Sequence, residues 1–120
     1  MMLDELYTRV TDAISRAESL EAEGRARDAA LAYQEVSRIE EQIAELLPAS
    51  DPEGALARQG VVTAALSAGD LARAVERART YSAANGLSAR FREEIAALQR
   101  EAEGSLQALS GNRRAGGGPR

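Results

Sequence analysis

Apolar residues return every three to four positions along most of this chain. The first run is Leu3, Leu6, Tyr7, Val10, Ala13, Ile14, Ala17 and Leu20. Held over nearly three heptads, that spacing predicts an amphipathic helix over residues 3–22, ended by Gly24. A second seam follows at Ala29, Ala32/Tyr33, Val36, Ile39, Ile43 and Leu46/Leu47. It predicts a helix over residues 26–47, stopped by Pro48. Two long antiparallel helices joined by a tight turn are the expected start of the fold.

Ser50-Asp51-Pro52-Glu53 supplies a capping side chain, a proline suited to the first helical turn and an early acid. A third helix is therefore expected over residues 52–67. It is apolar or small nearly all round, which places it in the middle of the fold. A narrow polar stripe interrupts it at Gln59, Thr63 and Ser67, each one turn after the last. A fourth helix begins after Gly69 with Asp70 as its cap and ends at Asn85-Gly86. It should bury Leu71, Ala74, Val75, Ala78 and Tyr81 and expose Arg73, Arg77 and Arg79. Ser88 caps a fifth helix that should bury Phe91, Ile95, Leu98, Ala102 and Leu106. All connections are short, so sequential helices should pack antiparallel. The expected fold is all-α, five antiparallel helices in a single domain over residues 1–110, with a disordered Gly/Arg-rich tail over 111–120.

A spacing repeats within this pattern. Gly24–Ala29–Tyr33–Val36 and Gly69–Ala74–Ala78–Tyr81 keep the same intervals, 45 residues apart. With Ala17 before the first glycine and Val62 before the second, the two units resemble tetratricopeptide repeats over about residues 10–84. The resemblance implies two helix–turn–helix units, with the fifth helix as a solvating cap. The family's unit is shorter, about 34 residues, both helices of the first unit here are longer than the family's, and the early large aromatic is missing from the first helix of each unit. The resemblance also implies a concave groove lined by residues ten, six and two before each turn glycine. In the second unit these are Gln59, Thr63 and Ser67, the polar stripe already noted. In the first they are Ile14, Glu18 and Ala22. Some family members clamp a terminal carboxylate with cations at such positions. None stands here, so a groove of this composition suits an apolar or weakly basic segment.

Composition narrows the chemistry. The 120 residues hold no cysteine and no histidine, which excludes disulfides, thiol or imidazole catalysis and His-ligated metals. Paired acids such as Glu41 and Glu45 share a helix face, but di-metal helical sites add histidines. No cofactor and no metal are expected, and a catalyst is not. Aromatics make up 3%, so Ala, Leu, Ile and Val must build the core. The amino terminus lacks a basic segment followed by an apolar run, and no stretch approaches the roughly 20 apolar residues of a membrane span. A soluble cytoplasmic protein is expected. Every basic residue is arginine, a usage that GC-rich bacterial genomes favour.

The net charge of −4 is unevenly spread. Residues 1–53 hold thirteen acids and five arginines, whereas residues 54–120 hold six acids and ten arginines. An acidic chain with few stacking aromatics argues against nucleic acid as the partner. Two functions are left. One is a non-catalytic interaction module, adaptor or chaperone-like, that holds a protein or peptide segment between helices 1 and 3. Its contacts would be Ile14, Glu18, Gln59, Thr63 and Ser67. The other is a self-assembling subunit, in which the Arg73 and Arg77 face of one copy meets the acidic helices of the next.

Overall fold

The computed structural model describes residues 2–117, with side chains described through residue 111. The fold is all-helical. The elements are α1 (Met2–Ala22), α2 (Ala26–Leu46), α3 (Pro52–Ser67), α4 (Leu71–Ser82) and α5 (Ala89–Gly117). No helix is long and apolar enough to cross a membrane, among the described residues.

Turn chemistry sets the hairpins. Gly24 and Gly69 take φ of 77° and 75°, a left-handed conformation that disfavours side chains. In both turns the glycine N–H bonds the carbonyl three residues back. The next N–H bonds five back, from Arg25 to Leu20 and from Asp70 to Ala65. The turn of the first unit is therefore repeated in the second. At α3, the Asp51 side chain accepts from the Glu53 N–H at 2.8 Å and Pro52 follows as the first helical residue. Asp70 likewise accepts from the Arg73 N–H, and Ser88 from the Phe91 N–H.

The helix α3 is the hub, packing against α2, α4 and α5. Val61, Val62, Ala74, Ala78, Tyr81, Leu87, Ile95 and Ala102 form the main core around it. A second cluster joins Leu6, Val10 and Ala13 of α1 to Val36, Ile39, Ile43 and Ala44 of α2 and to Ala57 and Ala64 of α3. A third is small: Ala17, Leu20, Ala29 and Ala32 near the first turn, with Tyr33 against them. By backbone proximity α1 rests on α2 alone and nowhere comes within 8 Å of α3, Cα to Cα. The long first hairpin stretches the molecule. Its radius of gyration is 15.8 Å, against about 13.6 Å for a compact domain of this length.

Two helix ends differ from expectation. The fourth helix stops at Ser82, ahead of Asn85-Gly86. The Arg92 guanidinium reaches back from α5 to the carbonyls of Ser82, Ala84 and Leu87, satisfying acceptors that a further helical turn would have used. Conversely, the backbone of α5 stays helical through Gly117, past the boundary set at residue 110. Gly111 does not adopt the positive φ that ends the earlier helices, and propagation of a formed helix needs no new nucleus. The rest of the expected tail, residues 118–120, lies outside the described residues. Leu106, placed in the core by its spacing, is 37% exposed, because α5 outruns the helices it packs on.

Candidate functional cleft

With α1 and α3 apart, a cleft opens between them over α2. Its floor is set by spacing along α2. Tyr33 and Glu40 lie seven residues apart on one face. Tyr33 donates from its hydroxyl to Glu21 of α1 at 3.1 Å. Tyr7 of α1 crosses to α3, its hydroxyl donating to Glu53 Oε2 at 3.1 Å. Burial, then this hydrogen bond and the charge of Glu53, push the Tyr7 phenol up from its ordinary value.

At the Tyr7–Glu53 crossing lies a notch of about 140 Å³ lined by Tyr7, Glu40, Glu53, Leu56 and Ala57. Glu40 is its most distinctive group. The carboxylate lies against Gly60, where any Cβ would collide with it. No hydrogen bond or ion pair reaches it, among the described residues. Burial pushes its pKa up to about 7. Leu56 stands at the rim, 59% exposed, although its neighbours Ala55 and Ala57 are buried. It extends the polar stripe of Gln59, Thr63 and Ser67 by one turn, which is why this apolar residue faces outward.

None of the candidate groove residues lines this notch; they lie further along the same two helices. Thr63 and Ser67 are exposed and Gln59 is half-buried, all on the α3 face that also carries Leu56 and Gly60. The Thr63 hydroxyl donates to the Gln59 carbonyl at 3.0 Å. Ile14 is 36% exposed, two turns beyond Tyr7 on the side of α1 that reaches α3. Glu18 is exposed one turn further. No hydrogen bond or ion pair joins the α1 set to the α3 set, among the described residues. What bridges the walls is Tyr7 and Glu53, which the spacing did not mark.

The arginine face of α4 is corrected. Arg73 and Arg77 do not stand free in solvent; their side chains are 21% and 29% exposed. Both pass α3 to reach Glu41 of α2, at 2.7 and 3.0 Å. Arg73 Nε also donates to Ser37 Oγ at 3.0 Å, and that hydroxyl, fully buried, donates to the Val61 carbonyl at 2.8 Å. The charge expected to meet another copy is answered inside the chain. Arg79 alone of the three is well exposed, near Glu103. Arg58, likewise, is held by the carbonyls of Leu47 and Gly54 and lies over the Tyr81 ring.

A second hollow, about 310 Å³, lies on the α1–α2 hairpin and is lined by Arg16, Leu20, Arg25, Asp28, Leu31 and Glu35, among others. Its charges balance locally, with Arg25 paired to Asp28 at 2.6 Å. No cluster of three or more carboxylates capable of holding a metal occurs among the described residues. No family model, curated protein or solved structure matches the chain.

Proposed function

We propose that this protein is a non-catalytic interaction module that holds a partner segment in the cleft between α1 and α3. The observation that carries the proposal is Glu40, a partly buried carboxylate with no hydrogen bond or ion pair among the described residues, set in a notch with Tyr7, Glu53 and exposed Leu56. A cation seated there would offset the cost of its partial burial. The notch is smaller than the roughly 300–1,000 Å³ of small-molecule sites, and suits the end of a side chain. Gln59, Thr63 and Ser67 on one wall, with Ile14 and Glu18 on the other, extend the surface along the helices as a helix or extended segment would require. The resemblance to tetratricopeptide repeats supports the same surface.

Selection from a displayed library of random peptides tests this reading. The native chain should enrich sequences that place a basic residue next to an aliphatic one. The double variant Gln59→Arg/Thr63→Arg should lose that enrichment while its helicity by circular dichroism stays unchanged. Enrichment of unrelated sequences, or enrichment indifferent to the double variant, would remove the cleft from the function.

A further inference from the structure

The end of α5 carries the complement of the cleft. Ile95, Leu98, Ala102, Leu106 and Leu109 follow one another at intervals of three and four, so they lie on one stripe. Ile95 and Ala102 are fully buried against α3 and α4, but Leu106 and Leu109 are 37% and 52% exposed. The stripe runs off the body uncovered. Beyond it the sequence turns basic, with Arg113 and Arg114 and no acid after Glu103.

This end cannot reach the cleft of its own chain. Pro52 and Ala55 at the start of α3 share a small pocket with Ser88 and Phe91 at the start of α5. The two helices therefore run in the same direction, and the cleft at Glu53 and Leu56 lies near the start of both. Leu109 is 18 residues beyond Phe91, about 27 Å along a helix. The cleft and the uncovered stripe lie at opposite ends of the molecule.

We propose that the cleft receives the C-terminal end of α5 from a second copy of the chain. Leu106 and Leu109 pack against Tyr7 and Leu56, and the basic sequence beyond them complements the acids of the cleft, Glu40 and Glu53. This inference rests on the cleft being a segment-binding groove. It replaces the expected Arg73 and Arg77 contact with a different one, joining the acidic first half of one copy to the basic last residues of the next. The contact is head to tail. Each copy keeps one free cleft and one free α5 end, so association continues until a ring closes or a filament grows.

Sedimentation equilibrium of the full chain tests it, with one pair of variants. Glu53→Arg/Leu56→Asp removes the cleft; Leu106→Asp/Leu109→Asp removes the α5 end. All four residues are exposed, so circular dichroism should show native helicity in both. The native chain should associate with rising concentration, and more weakly as salt rises. Each variant alone should associate at least tenfold more weakly. Mixed one to one, they should form a dimer that does not grow, because only one intact cleft and one intact α5 end are left. If the cleft variant does not fold, the milder Glu53→Gln/Leu56→Ala takes its place in the same mixture.

A native chain that stays monomeric at millimolar concentration in low salt overturns the proposal. So does association that either variant leaves unchanged, or a mixture that stays monomeric. A monomer whose cleft still selects basic and aliphatic peptides sinks the second-copy partner and leaves the groove standing. A monomer that selects none sinks both.

Discussion

The two ends of this molecule start from the same turn and arrive at different packing. Gly24 and Gly69 share a conformation, a hydrogen-bond pattern and open space around the missing Cβ. After Gly69, α4 is 12 residues long and lies within a three-helix body, because α5 packs on both α3 and α4. Around Gly24, two helices of 21 residues pair with each other, and only α2 passes on to a third helix, α3. Their far end is held by four buried residues and Tyr33. The difference teaches that turn chemistry decides where the chain reverses but not how many neighbours a helix acquires: α1 and α2, equal in length, have one and two.

The sharpest way to break the comparison is to cut one side chain from each end. Ile95→Ala opens a hole in the main core beside a residue with no exposure. It should lower unfolding free energy by about 3–5 kcal/mol. Leu20→Ala, at the open end of the first hairpin, should lower it by about 2 kcal/mol, because that site relaxes more easily. Urea denaturation followed by circular dichroism measures both. Equal losses would mean that the hairpin end is as tightly built as the body.

The next effect lies at the joint between the two ends. Glu41 holds Arg73 and Arg77, and its side chain is 19% exposed. Glu41→Ala leaves two half-buried guanidinium groups without their acid and should cost about 2–4 kcal/mol. The same urea titration reads it. A loss under about 1 kcal/mol would place this joint among ordinary surface ion pairs.

The smallest effect sharpens the contrast between Glu41, which is answered, and Glu40, which is not. The Glu40 carboxyl titrates at about 7 in the fold and near 4.3 in an unfolded chain. Between those values the folded chain holds the extra proton, so this group's contribution to stability falls as pH rises from about 5 to about 8. Glu40→Gln should remove that part of the slope. At about pH 8 it should add about 1–2 kcal/mol, a figure discounted for the solvent that reaches the carboxylate. Denaturation midpoints of both chains at the two pH values test this. An unchanged difference between the chains would detach the slope from Glu40.

The helices were legible because each signal is local. Gly24 and Pro48 place the stops of α1 and α2, and Asp51 and Ser88 the starts of α3 and α5, to within a residue or so. The end of α4 was not legible, because Arg92, which satisfies its carbonyls, lies on another helix ten residues away. The notch was not legible. Periodicity marked Ile14 to Ser67, since a polar stripe on an apolar helix is a one-dimensional pattern, but none of these residues lines the notch. It did not find Tyr7, Glu53, Leu56 or Glu40, because their roles follow from which helices stand apart. No spacing encodes that the backbones of α1 and α3 stand apart and meet only through side chains. The same limit applies to Arg73 and Arg77. Their charge suggested an outward face, and only the position of Glu41 two helices away turns them inward.

Ser37, Glu41 and the two arginines also bear on how the chain melts. Helices stacked in a row behave like a line of coupled spins: each responds to its immediate neighbours, and ends can open while the middle holds. Here α4 reaches past α3 to α2, a next-nearest-neighbour coupling beside the one that α5 makes with α3. Such a coupling sharpens the transition. It makes α2, α3 and α4 one cooperative unit, and leaves the first turn and the last turns of α5 as the places where opening begins.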